Sequence, residues 1–218
     1  MPNYRRAWVP GGIFFFTVVT YRRRFVFDHP ESRQILHDVV QEVRQKHPFS
    51  IDAWVLMPEH LHCIWALPDK SCNFSVRWSL IKSGFSKRAR SLFHLPEWMS
   101  DSRLKHREST IWQRRYWEHL IRNDEEYQAY MDYIHYNPVK HGLVMRVRDW
   151  PHSTFHRYVR SGIYPEHWGG GLDSANLDAP RGGMRDGGYD GAVLTLQALR
   201  PGEVSSVRRD SATKGYHK

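Results

Sequence analysis

His60 and His62 are separated by one residue, in a segment whose apolar neighbours read as a β-strand. In a strand, side chains at i and i+2 point to the same face, so these two imidazoles would stand side by side facing one ion, while Leu61 and Cys63 turn to the other face. The pattern alone carries little. With 14 His in 218 residues, chance supplies about one such pair, and two unconnected strand histidines remain an alternative. A second constellation lies further along, where Tyr133 and Asn137 are four apart in a segment of helical pattern, with Tyr130 one turn earlier. That spacing presents a phenol and an amide oxygen on one helical face. The alternative is that Tyr127, Tyr130, Tyr133 and Tyr136 form an aromatic stripe for packing.

The elements that must position these residues are legible in the hydrophobic pattern. Residues 13–20, Ile-Phe-Phe-Phe-Thr-Val-Val-Thr, form a continuous aromatic and β-branched run between Gly11-Gly12 and Arg22-Arg23-Arg24, as expected of a buried strand. Residues 31–46 place Ile35, Val39, Val40 and Val43 at helical spacing and stop at His47-Pro48. Residues 50–57 and 60–67 read as two strands joined through Pro58-Glu59 in an antiparallel hairpin, and 75–93 as a helix carrying Lys82, Lys87, Arg88 and Arg90. Residues 111–121 supply a fourth strand and a turn. Residues 124–137 supply a last helix with acidic residues in its first turn, which Pro138 is expected to end at Asn137, near any bound cation. The order β-α-β-β-α-β-α predicts an α+β protein with the ferredoxin-like split βαβ arrangement. This is an antiparallel sheet with helices on one face, the other face open to a ligand, followed by the helix that carries Tyr133.

Length allows one domain with a real core, assigned to residues 1–165. Residues 166–218 hold ten of the fifteen glycines and only three aromatics, a composition expected of a flexible tail in which only 192–199 has apolar character. The tail contains seven basic and seven acidic residues, so the net charge of +9 resides entirely in the first 165 residues. A basic folded region favours a polyanionic partner such as nucleic acid. Arg5, Arg6, Arg22, Arg23, Arg24, Lys87, Arg88, Arg114 and Arg115 are candidates to follow phosphates while exposed rings stack on bases, although such a residue taken singly is more often a solvated surface charge than a contact. Two cysteines, Cys63 and Cys72, provide neither a zinc set nor a disulfide framework, which suits a reducing, cytoplasmic setting. No signal core and no run of about 18 apolar residues is present, so a membrane role is not expected.

Taken together, Met57-Pro58-Glu59-His60-Leu61-His62 and Tyr133-Ile134-His135-Tyr136-Asn137-Pro138-Val139-Lys140 resemble the REP-associated tyrosine transposases, relatives of the HUH insertion-sequence transposases. Tyr4-Arg5-Arg6, Ile13-Phe14-Phe15-Phe16-Thr17 and Gly142-Leu143-Val144 extend the likeness in matching order across about residues 1–160. The resemblance implies that His60 and His62 are metal ligands, that Asn137 is a third, amide ligand, and that Tyr133 is the nucleophile, forming a 5′-phosphotyrosine link and releasing a 3′-hydroxyl. It also implies a ferredoxin-like fold and a single-stranded or hairpin DNA substrate of the repetitive extragenic palindrome kind. The divalent ion would be Mg²⁺ or Mn²⁺. Two imidazoles plus an oxygen suit manganese at least as well as magnesium, which prefers an all-oxygen shell. A monomer is expected, although insertion-sequence relatives pair and share active sites. Two features depart from the family pattern: the glycine-rich tail, and Glu59, where an amide is expected and a carboxylate would stand near the metal. Three alternatives stay open: a protein that binds hairpin DNA without cutting it, an RNA-binding ferredoxin-like module, and a nuclease that uses water.

Overall fold

The computed structural model describes residues 9–170. Arg5, Arg6 and all but the first five residues of the expected tail, including 192–199, lie outside the described residues.

The unbroken apolar run becomes β1 (Ile13–Val19), followed by α1 (Pro30–Lys46), β2 (Ser50–Leu56) and β3 (His60–Ala66). Next come α2 (Phe74–Arg88), the short α3 (Arg90–Phe93) and α4 (Asp101–Lys105), β4 (Trp117–Ile121), α5 (Asp124–Lys140) and α6 (Phe155–Arg160). The strands form one antiparallel sheet in the order β2-β3-β1-β4, the arrangement a split βαβ unit requires. The β2–β3 hairpin is closed by the Met57 amide donating to the His60 carbonyl at 2.8 Å. In the β1–β3 register, Thr17 stands opposite His62 and Val19 opposite His60.

Both faces of the sheet are buried. Phe14, Phe16 and Val18 of β1 pack with Leu61, Cys63 and Trp65 of β3 under α1 and α2. Phe15, Val55 and Ile64 pack on the other side against Tyr130, Met131, Tyr133 and Ile134 of α5. The second face is therefore not open, as the order of elements suggested, but roofed by the helix that carries Tyr133. The cause lies chiefly in β1, which is apolar on both faces at nearly every position and so needs cover on both sides, joined on the second face by Ile64 of β3 and Val55 of β2.

Three local expectations also change. The helix expected over 75–93 breaks at Ala89, whose ψ of 8° leaves α3 as a separate turn. Of the 111–121 segment only Trp117–Ile121 is strand; Ile111 and Trp112 are buried, and Trp112 makes an isolated bridge to Thr20. The last helix does not end at Asn137 but runs to Lys140. Proline removes one amide donor, and in a final turn that loss is small. The helix closes through the His141 amide on the Asn137 carbonyl, and Gly142 follows at a φ of 69°, the left-handed position that suits glycine. At its other end the Asn123 side chain accepts from the Glu126 amide at 2.7 Å, and Asp124, Glu125 and Glu126 complement the helix dipole.

Beyond α5 the chain returns to β2. The Leu56 amide donates to the His152 carbonyl and the Thr154 amide to the Trp54 carbonyl, both at 2.9 Å, and the Trp54 amide donates to Thr154 Oγ1. His135, on the far side of α5 from the sheet histidines, meets Thr154 Oγ1 at 3.0 Å and is enclosed by Phe155, Tyr158 and Tyr164. Trp168 stacks edge-on against Tyr164 at 4.8 Å. Burial first, then the charges of Arg157 and His156, push the His135 imidazole down to about 3. The unfolded chain can thus take up a proton that the folded one refuses. Stability is full above the unfolded value near 6.5 and is lost as pH falls from there toward 3. Chemical denaturation at pH 7 and pH 4.5 should differ by on the order of 2–3 kcal/mol from this group. In His135→Gln that difference should shrink by the same amount, whatever the variant's stability at pH 7. An acid limb as steep as in the parent would assign the effect elsewhere.

Candidate active site

The first residue of β3 and its i+2 neighbour bring two buried imidazoles edge to edge, with His60 Nε2 and His62 Nε2 3.2 Å apart. Each ring is held from behind. His60 Nδ1 lies 2.9 Å from Glu59 Oε1, and His62 Nδ1 lies 2.8 Å from Thr17 Oγ1 across the β1–β3 pairing. An ionised carboxylate only accepts, so the His60 proton belongs on Nδ1, and in the neutral ring Nε2 turns a lone pair toward His62. Burial raises the Glu59 carboxyl, but the His60 hydrogen bond and charge, with Arg23, outweigh it and hold the group below the usual range. Burial, then the cations and imidazoles of His60, His141, Arg23 and Lys140, push His62 well below the usual imidazole value. His62 is therefore neutral at physiological pH, the state a metal ligand needs.

α5 supplies the opposite wall. Tyr133, Asn137 and His141 are spaced i, i+4, i+8; the Tyr133 ring lies 5.2 Å from that of His62, and the His141 ring 5.6 Å from that of His60. Asn137, between them in the helix, is turned to the same side. It is fully buried, and neither its Oδ1 nor its Nδ2 has a hydrogen-bond partner. A buried amide with nothing to bond to is rare and costly in a native fold. These observations fit a divalent cation. Two nitrogens about 2.1 Å from one ion subtend roughly a right angle at the observed separation, and Asn137, one turn along α5 from Tyr133, carries a buried carbonyl oxygen without a partner. Among the described residues no group of three or more His, Cys, Asp or Glu side chains is placed to hold a metal ion.

The Tyr133 phenol is 2% exposed, packed against Phe15 at 6.0 Å, with Lys140 Nζ 5.2 Å over its ring. A phosphodiester reaches it only by displacing these neighbours.

The structure separates the basic candidates. Arg22, Arg23 and Arg24 lie in the turn two residues beyond β1, and Arg23 Nη1 reaches Glu59 Oε1 at 3.3 Å, which brings this group to the rim of the histidine pair. Lys87 and Arg88 belong to α2, on the opposite face of the sheet, where Arg88 pairs with both carboxylate oxygens of Glu42. Arg114 is held by Glu108 at 2.6 Å and by Ser102, and Arg115 is exposed. Sequence reading missed Thr17, whose signal was one polar residue inside an apolar strand. It quoted Lys140 as part of a motif without placing it at the site.

Comparison with known proteins agrees with this geometry. The family described as "Transposase IS200 like" matches residues 13–137, from the start of β1 to Asn137. A REP-associated tyrosine transposase of Escherichia coli (strain K12) is 44% identical over 170 residues, covering 78% of this chain and 92% of that protein. A solved structure of a REP-associated tyrosine transposase bound to a REP hairpin is similar with a TM-score of 0.67 and 43% identity, covering 79% of this chain and 93% of that one. With the sheet, the histidine pair and the roofing helix as far as Asn137 inside the matched region, the chain belongs to the IS200-like transposases and, within them, to the REP-associated tyrosine transposases.

Proposed function

We propose that this chain is a metal-dependent single-stranded DNA endonuclease and strand transferase that cuts at palindromic hairpin repeats, with residues 1–165 as the nicking domain. The observation that carries the proposal is the Tyr133 phenol held ring to ring with His62, whose Nε2 stands 3.2 Å from His60 Nε2. His60, His62 and Asn137 would hold the ion, which when bound polarises the phosphate and steadies the leaving oxygen. The Tyr133 phenol gives up its proton as its oxygen bonds to phosphorus, the bond from phosphorus to the 3′-oxygen breaks, and that oxygen takes up one proton and leaves as a 3′-hydroxyl. The 5′-phosphotyrosine conserves the energy of the broken bond, so a second 3′-hydroxyl can reverse the step without ATP.

Manganese suits this donor set at least as well as magnesium, so activity is expected to be stronger with Mn²⁺. Among the described basic candidates Arg22, Arg23 and Arg24 are nearest the reaction, and Lys87, Arg88, Arg114 and Arg115 would serve the remainder of the DNA; Arg5 and Arg6 are proposed as further phosphate contacts. We assign action to a monomer in the cytoplasm. No helix among the described residues is long and apolar enough to cross a membrane, and Cys63 and Cys72 are free thiols. The test is to mix the chain with 5′- and 3′-labelled hairpin oligonucleotides, with Mn²⁺, Mg²⁺ or chelator, and run denaturing gels. A metal-dependent protein adduct on the 5′-phosphate side supports the reading. Retarded but uncut hairpin under every condition would make the chain a hairpin-binding protein instead.

Glu59 gives this reading a measurable corollary. A carboxylate behind a ligating imidazole fixes its tautomer and strengthens it as a donor, and losing such a partner typically weakens metal affinity about 10–100-fold. Glu59→Gln should lose Mn²⁺ affinity in that range by calorimetry while its circular dichroism stays unchanged. Affinity equal to the parent's would reduce Glu59 to a partner of Arg23.

A further inference from the structure

Arg22 and Arg23 both lie in the left-handed region, with φ of 56° and 50°. Side chains with a Cβ resist that conformation and glycine does not, so two arginines in succession mark a turn in which the side chains matter more than the strain. The turn is fastened to the metal-site hairpin. Thr20, just before it, donates to the Glu59 carbonyl through both its amide and its hydroxyl at 2.9 Å, and Arg23 meets the Glu59 carboxylate. Half-buried Trp98 lies alongside. The Arg22 guanidinium is 4.5 Å over its ring, Arg24 is 5.4 Å away and anchored on the Phe93 carbonyl, and Tyr21 meets it edge-on at 6.1 Å. Arg22 is exposed and, among the described residues, makes no hydrogen bond or ion pair; it rests only on the rings of Trp98 and Tyr21.

We propose that this turn and Trp98 form a subsite for the single-stranded nucleotides adjoining the reacting phosphate. Trp98 stacks an unpaired base, and Arg22 and Arg23 hold the phosphates on either side of it. The proposal rests on the reading of the chain as a single-stranded DNA nickase. A ring beside mobile cations is what an unpaired strand uses, since its base faces are free to stack. A duplex stem hides those faces and presents only phosphates, so it would gain nothing from Trp98. In the free protein the Arg22 cation covers the ring face, and Glu59 occupies Arg23; a bound strand replaces both contacts.

The test uses the full chain carrying Tyr133→Phe, so that binding is read without cutting, with Mn²⁺ present. Affinities are measured for one hairpin bearing single-stranded extensions and for the same hairpin with blunt ends. Trp98→Ala should weaken the extended hairpin about 5- to 100-fold and leave the blunt one unchanged. Arg22→Gly should weaken the extended hairpin, lower the slope of log affinity against log salt by about one, and raise Tm by about 2–4 °C as the strain is released. Equal losses on both DNAs, no loss on either, or a fall in Tm for Arg22→Gly would overturn the subsite while leaving hairpin recognition intact. A parent chain that binds neither DNA would overturn the functional reading, and the subsite with it.

Discussion

Tyr133→Phe should abolish the covalent protein–DNA adduct and lower strand cleavage by at least about 10⁴-fold, the scale expected when a nucleophile is deleted. The substitution removes one oxygen and leaves the ring, so the contacts with His62, Phe15 and Lys140 persist and hairpin affinity should hold. Cleavage read on labelled strands and adduct read on protein gels must disappear together. Cleavage that survives without an adduct would mean that water is the nucleophile. An adduct that survives would place the attack on another residue, and the neighbouring tyrosines of α5 are poor substitutes. Tyr130 is buried against Phe15 and His119 with its hydroxyl unpaired, and its acidity is reduced chiefly by burial and also by Glu126. Tyr127 is likewise raised, by burial and by Asp52.

Asn137→Leu should move two measurements in opposite directions. In the metal-free chain the buried amide has two polar atoms without partners, and an apolar side chain of similar size removes that penalty of about 1–3 kcal/mol. The variant should therefore melt higher than the parent in chelator. It should also fail to gain stability from Mn²⁺, and its metal-dependent cleavage should fall by at least about 100-fold. A purely structural asparagine would give a different pair of results: lower stability, with Mn²⁺ binding retained. Differential scanning calorimetry with and without the ion distinguishes the two.

Much of the fold was legible because period and punctuation agreed. The 13–20 run, the hairpin around Pro58-Glu59 and the start of the last helix at Asp124 all appear within a residue or two of where pattern placed them. The misreading of the second face came from weighing element order above composition. Phe14, Phe15 and Phe16 are apolar on both parities of the strand, which already demanded a cover on each side. Pro138 misled for a related reason: its local preference is real, but burial of Asn137 and Pro138 on the packed side of α5 outweighs one missing hydrogen bond. At the site, the spacing of His60 with His62 and of Tyr133 with Asn137 carried through to geometry. Thr17 behind His62, and Lys87 and Arg88 on the far face, could not be read from spacing, because they depend on strand register and on which face a helix covers.

The return of residues 152–154 to β2 also limits how copies of this chain can meet. Those residues bond to the free side of β2 at Trp54 and Leu56, and Trp150 Nε1 donates to the Leu56 carbonyl beside them. That margin of the sheet is thereby sealed to an incoming strand. β4 is the remaining edge among the described residues. Among the described residues, backbone pairing between the sheets of two copies can then run only from β4 to β4, and such a contact closes on itself after two molecules, because these residues offer no second open edge from which a longer ribbon could grow.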